Sequence, residues 1–151
     1  MKEKKKKIII INGPNINKIG NREKNIYGNK NINNYLKIIK KKYYKEYNIY
    51  IKIYNYNCEG KIINVLYDNG YRKKNLGLIL NAGAYSHTSL AISDTIRSIK
   101  NKIIEVHISN IYNREKIRKK SLISPYCNGI IIGFGLLVYE LAIISLINYN
   151  Y

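Results

Sequence analysis

The chain has no tryptophan, one phenylalanine, two prolines and two cysteines among its 151 residues. Cys58 and Cys127 belong to no paired motif, which leaves no cysteine framework for a metal and favours reduced thiols in a cytosol. There is no internal repeat and no Pro-rich linker, so one domain over 1–151 is expected, with 1–6 as a basic, solvated tail. Acidic residues are also scarce, nine against 27 Lys and Arg, for a formal net charge of +18. A balance of that kind ordinarily points to nucleic acid or an anionic surface. Here the excess is mostly Lys, is dispersed, and accompanies abundant Ile, Asn and 16 Tyr, the set that A+T-rich codons supply. No aromatic-basic motif of known type is present, so no nucleic-acid partner is expected, only modest steering of small anions.

Long hydrophobic runs are missing as well. The basic start precedes an apolar run, 8–11, that stops at Asn12 and Gly13, too short for the core of a signal peptide. The apolar segment 130–147 is broken by Gly133 and Gly135 and carries Glu140. It reads as a buried strand followed by a helix rather than a bilayer span. A cytoplasmic protein without a membrane partner is the expectation.

What is there is an alternation of strand-like runs and helical periods. Strands are expected at 7–12, 48–55, 78–80, 103–110 and 129–132. Between them, Ile32, Leu36, Ile39 and Tyr43 line one face of a helix. A short helix at 59–69 is stopped by Gly70, and another, capped by Ser86 or Thr88, turns Ile92, Ile96 and Ile99 inward. A basic helix or lid covers 113–120, and the last helix spans 136–148. Five strands alternating with helices predict an α/β fold, an open parallel sheet covered on both faces, with its ligand outside the carboxyl ends of the strands.

Residues with chemistry stand at those ends: Asn12 and Asn15, with Arg22 and Tyr27 beyond, after the first strand, then Asn81 and His87 after the third. In the fourth, a two-residue period puts Ile104, Val106 and Ile108 on one face and Glu105, His107 and Ser109 on the other. Glu105 can hold one ring nitrogen of His107 and leave the other to move a proton. The alternative is an edge strand with a solvated polar face.

Four motifs resemble those of the type II 3-dehydroquinate dehydratases, in unbroken order over about 7–145. They are Asn12-Gly-Pro-Asn-Ile-Asn17 with Gly20-Asn-Arg-Glu and Tyr27-Gly28; Asn81-Ala-Gly-Ala-Tyr-Ser-His-Thr-Ser89 with Asp94; Glu105-Val-His-Ile-Ser-Asn110 with Arg114-Glu115 and Arg118; and Ser124-Pro125 with Gly129-Ile-Ile-Ile-Gly-Phe-Gly135. The resemblance implies a flavodoxin-like fold, no cofactor, no metal, and a homo-oligomer, a dodecamer built from trimers. It also implies an anti elimination of water from 3-dehydroquinate through an enolate.

By that resemblance Tyr27 is the base. A free phenol titrates near ~10, so work near neutrality needs about three units of depression, roughly 4 kcal/mol, which a nearby cation, Arg22, supplies. Asn15 holds a water molecule against the enolate oxygen. His107, oriented by Glu105, protonates the leaving hydroxyl, which Asn81 also bonds. Ser109 and the backbone N–H groups of Ile108 and Ser109 take the carboxylate. Arg118, His87 and Asp94 read the ring hydroxyls, Asp94 from a neighbouring subunit, and Arg114 makes a lid or ring contact. Each has a plainer reading: a tight turn at Asn15, a capping histidine at His87, and one more tyrosine at Tyr27.

Departures from the family pattern are Lys24 for a usual Pro, Cys58 for a His, and Tyr112-Asn113 for His-Ala, all bearing on lid order and packing. A rival is a metal hydrolase using His87, Glu105 and His107. A nucleotide site at Gly133-Phe-Gly135 fails, because no acidic residue follows at the ribose spacing.

Overall fold

In the computed structural model, the residues described are 5–20 and 31–149. Five parallel strands form one sheet in the order β2-β1-β3-β4-β5: β1 Lys6–Asn12, β2 Ile49–Asn55, β3 Asn75–Asn81, β4 Ile103–His107 and β5 Gly129–Ile132. Among the described residues three helices connect strands, α1 Ile32–Tyr47, α2 Glu59–Gly70 and α3 Leu90–Ser98, and a fourth, α4 Leu137–Ile147, follows β5. This is the doubly wound, flavodoxin-like order, and its switch point lies where β1 meets β3.

The run Ile8–Ile11 explains why the sheet is buried on both sides. Successive side chains of a strand point to opposite faces. Ile8 and Ile10 therefore pack with α1 and α4 in one layer, and Ile9 and Ile11 with α2 and α3 in the other. A central parallel strand covered on both faces reads as a continuous apolar run, which is what the sequence carries here.

The α1 face is the expected one, with Ile32, Leu36, Ile39 and Tyr43 buried. Asn31 starts the helix by accepting from the backbone N–H groups of Asn33 and Asn34, and Asn48, at φ 52°, ends it in the left-handed region. Elsewhere the boundaries move. β3 begins at Asn75 rather than at 78, and the expected basic helix at 113–120 is two single 3-10 turns, Ile111–Asn113 and Lys116–Lys119.

One expectation about helix ends is corrected. Ser89, not Ser86 or Thr88, caps α3: its Oγ accepts from the Ile92 N–H at 2.9 Å. Ser86 and Thr88 are used by the 3-10 turn in front, where the Thr88 N–H bonds the Tyr85 carbonyl. α2 does end at Gly70, its last helical residue, but not by a left-handed turn there. A Cβ there would lie 2.5 Å from the Ile99 side chain, so glycine is required by close packing of α2 on the end of α3.

β4 is interior, paired with β3 and β5, and all five of its residues are buried. The alternation expected for it holds. Ile104, Val106 and Ile108 join the layer of α1 and α4, and Glu105 points the other way. The segment 121–127 covers that second face, so the solvated edge strand is excluded.

Candidate active site

The carboxyl ends of β1, β3 and β4 open into one cleft. Its wall includes Asn15, Asn81, His87, His107, Ile108, Ser109, Arg114 and Arg118, eight of the residues expected from sequence. Glu105 stands behind His107. Asp94 is not brought to this cleft: its side chain is 73 % exposed on α3 and pairs with Arg97 at 3.7 Å. Arg22, Lys24 and Tyr27 lie outside the described residues.

Two crossings of backbone shape the floor. The Gly13 N–H donates to the Asn81 carbonyl at 2.7 Å, tying the end of β1 to the end of β3. A Cβ on Gly13 would sit 2.4 Å from the Ala82 carbonyl oxygen, so no other residue lets the two chains approach this closely. Two residues on, Asn15 occupies the left-handed region at φ 66°, which asparagine tolerates better than most residues. Its N–H donates to the Asn57 side chain at 3.1 Å, which fixes the turn against the end of β2.

His107 Nε2 donates to Glu105 Oε1 at 2.6 Å, with the imidazole 6 % and the carboxylate 0 % exposed. An ionised carboxylate can only accept, so this bond assigns the hydrogen to Nε2 and leaves Nδ1 for exchange. Glu105 also accepts from the hydroxyls of Ser121, at 2.9 Å, and Ser124. The Ser121 oxygen itself accepts from the N–H groups of Ile123 and Ser124, which turns its hydrogen toward the carboxylate. Burial pushes the Glu105 carboxyl up; the bond and charge of His107 and the two serine hydroxyls outweigh it and hold the group below its ordinary value.

The His87 ring lies 6.1 Å from that of His107 at an interplanar angle of 26°. Its Nδ1–H donates to the Lys120 carbonyl at 2.7 Å, leaving Nε2 as an acceptor. Burial is the main cause that lowers its pKa, with the charges of His107 and Arg118 adding to it. A neutral His87 beside His107 is the result. Arg114 and Arg118 reach into the cleft from the two 3-10 turns, and Glu115 between them contacts both, at 3.6 and 3.3 Å.

Several contacts at the site were not foreseen from the sequence, although Ser124 itself stands in the fourth motif. Ser121 and Ser124 are 16 and 19 residues from the carboxylate they serve. Lys18 lines the cleft from a turn that reads only as a loop. Beneath the cleft, Asn81 Nδ2 donates to the Tyr139 hydroxyl at 3.0 Å, Tyr139 donates to Asn12 Oδ1 at 2.7 Å, and Asn12 Nδ2 donates to Asn55 Oδ1 at 3.0 Å. Among the described residues no three His, Cys, Asp or Glu side chains converge on one point, and the imidazole and carboxylate of the hydrolase rival are bonded to each other instead.

An acid–base pair behind a cleft with amide, hydroxyl and guanidinium groups, at the carboxyl ends of a flavodoxin-like sheet, defines a small-molecule enzyme of the doubly wound class. The chain belongs to the class II dehydroquinase family, whose model matches residues 6–147. It is 49% identical over 144 residues to the 3-dehydroquinate dehydratase of Fusobacterium nucleatum, covering 95% of this chain and 97% of that one. Against the 3-dehydroquinate dehydratase of Caldicellulosiruptor saccharolyticus it is 48% identical over 141 residues, covering 93% and 96%. The crystal structure of the type II dehydroquinase from Butyrivibrio crossotus superposes with a TM-score of 0.88 at 44% identity, over 95% of this chain and 98% of that chain.

Proposed function

We propose that this protein is a 3-dehydroquinate dehydratase, removing water from 3-dehydroquinate to give 3-dehydroshikimate on the shikimate route to aromatic amino acids. The observation that carries this reading is the buried Glu105–His107 pair at the wall of a cleft that also presents Asn15, Asn81, Ser109 and Arg118. Tyr27, with Arg22 as the cation that lowers its phenol pKa, takes the proton alpha to the ketone. Asn15 holds a water molecule to the enolate oxygen as charge develops there. His107, oriented by Glu105, delivers a proton to the departing hydroxyl, and Asn81 bonds the same oxygen. Ser109 and the adjoining backbone N–H groups of Ile108 and Ser109 take the carboxylate. Arg118 and His87 read the ring hydroxyls, and Arg114 contacts the ring from the lid. Neither metal nor organic cofactor enters these steps.

The working form is a homo-oligomer, a dodecamer built from trimers, in the cytoplasm. An apolar surface on β5 and α4, with Ile130, Leu137 and Ile144 each near half exposed and Phe134 at 62 %, supports a subunit contact. Asp94 serves a neighbour's cleft rather than its own, a reading that its exposure on α3 supports.

Absorbance of the conjugated enone, followed with 3-dehydroquinate, tests the reading. Enone growth with the wild type and its near-loss in Tyr27→Phe is the expected result. Growth in both removes Tyr27 from its role, and growth in neither, from a folded oligomer, overturns the function. Activity should survive exhaustive chelation and borohydride treatment with substrate, since no lysine Schiff base forms.

A further inference from the structure

The amide relay under the cleft has a polarity that can be read without ambiguity. A backbone N–H can only donate, and the Gly83 N–H donates to Asn81 Oδ1 at 3.4 Å. The Asn81 Nδ2 is therefore the end that meets Tyr139. A phenol has one hydrogen. Having accepted from Asn81, Tyr139 uses that hydrogen on Asn12 Oδ1, which leaves Asn12 Nδ2 for Asn55. Each bond dictates the next, from β3 through α4 to β1 and β2.

Asn81 is 2 % exposed, and Asn12 and Tyr139 are wholly buried. Asn12 and Tyr139 are shut off from solvent, and a reversed Asn81 amide would set its NH₂ against the Gly83 N–H, donor against donor. Burial also raises the Tyr139 pKa, so the hydroxyl remains a donor throughout the working range. Of the relay, only Asn81 lies in the cleft wall formed by the described residues.

We propose that Tyr139 is a positioning residue: through this relay it holds the Asn81 amide in the orientation that the Gly83 N–H selects, and so aims it at the leaving hydroxyl of the substrate. The inference rests on the dehydratase reading, since it assigns Asn81 a substrate group to bond. Without the Tyr139 hydroxyl, the Asn81 amide keeps the long bond from the Gly83 N–H, at 3.4 Å, and loses the shorter one that holds its other end. The bond to the departing oxygen is then made by only part of the population and with looser aim. Binding of the rest of the substrate, through the Ser109 and Arg118 side of the cleft, is unaffected.

The test is a double-mutant cycle of Tyr139→Phe and Asn81→Ala, with kcat and KM from enone absorbance and melting temperature measured alongside. Tyr139→Phe should lower kcat about tenfold, the range typical of supporting partners of a functional side chain, with KM within about twofold. In the Asn81→Ala background the same change should cost less than about twofold, because the group it aims is gone. An equal fall in both backgrounds, or a lower melting temperature with kcat unchanged, overturns the proposal. Should Tyr139→Phe fail to fold, Asn55→Ala loosens the relay at its exposed end and takes its place in the cycle, with a smaller fall expected only when Asn81 is present. Enone growth in the wild type with an additive cycle overturns this inference alone. No growth in the wild type overturns the dehydratase reading and this inference with it.

Discussion

Two buried polar systems sit side by side at the carboxyl ends of the strands, and they are built differently. Around Glu105 the protein surrounds one negative charge with an imidazole and two hydroxyls. Around Tyr139 it links three amides through one phenol, with no charge at all. The first stores a charge that a proton can cancel; the second stores only direction. Both answer the same constraint, since a buried polar group must find a partner. Only the first can respond to pH. The comparison separates proton transfer, which needs a titrating pair, from aim, which does not.

The largest effect should come from breaking the charged system. His107→Ala is expected to lower kcat by about 10²–10⁴-fold, the usual contribution of a general acid. Glu105→Gln keeps the shape but removes the charge and can present an NH₂ to the Nε2 hydrogen, so a loss of about 10²-fold or more is expected. If Glu105→Gln costs no more kcat than Tyr139→Phe, the distinction between charge and direction fails.

Next comes Gly13→Ala, which strikes the crossing of the β1 and β3 ends beside the amide relay. Its methyl would meet backbone, not a flexible side chain, at the Ala82 carbonyl. A loss of about 1–3 kcal/mol in unfolding free energy is expected, read from the denaturant midpoint. A variant as stable as the wild type would show that the β1 and β3 ends can separate without cost.

Acid titration of stability sharpens the contrast. The folded-state pKa of Glu105 lies below its ordinary value of 4.5, so its stabilisation is complete above that value and is lost as pH falls through the folded value. His87 is also lowered, from 6.5, so its contribution is complete above pH 6.5 and is lost as pH falls through its folded value. Melting temperatures should therefore drop in two windows on acidification. Glu105→Gln should remove the more acidic one, and His87→Gln the other. Tyr139→Phe should change neither; a changed acid profile in that variant would link the two systems.

The smallest effect is expected at the rim. Lys18 is exposed, so Lys18→Ala should raise KM about twofold at low ionic strength and leave it unchanged near 1 M salt. A salt-independent effect would mean a direct bond to the substrate.

Much of this was legible from local pattern. The alternation of Ile104, Val106 and Ile108 with Glu105 and His107 declared a strand with one chemical face, and i, i+2 spacing made the carboxylate–imidazole pair foreseeable. Ser89 was missed as the α3 cap because Ser86, Thr88 and Ser89 are equally good caps on paper. Which one is used depends on where the preceding 3-10 turn ends. Gly70 does end α2, but glycine has two uses at such a place, a positive φ and a close approach, and only the position of Ile99 tells them apart.

The order of elements, the two buried faces of the sheet and the gathering of polar residues at the strand ends were all readable along the chain, because they follow from period and from the rules of parallel sheets. Only the tertiary structure decided the partners of those polar residues. Ser121 reaches Glu105 across 16 residues, Asn81 reaches Tyr139 across 58, and Tyr139 reaches Asn12 across 127. A hydrogen bond between distant residues leaves no periodic trace in a chain. It exists because packing brings a donor and an acceptor together where water cannot serve either one.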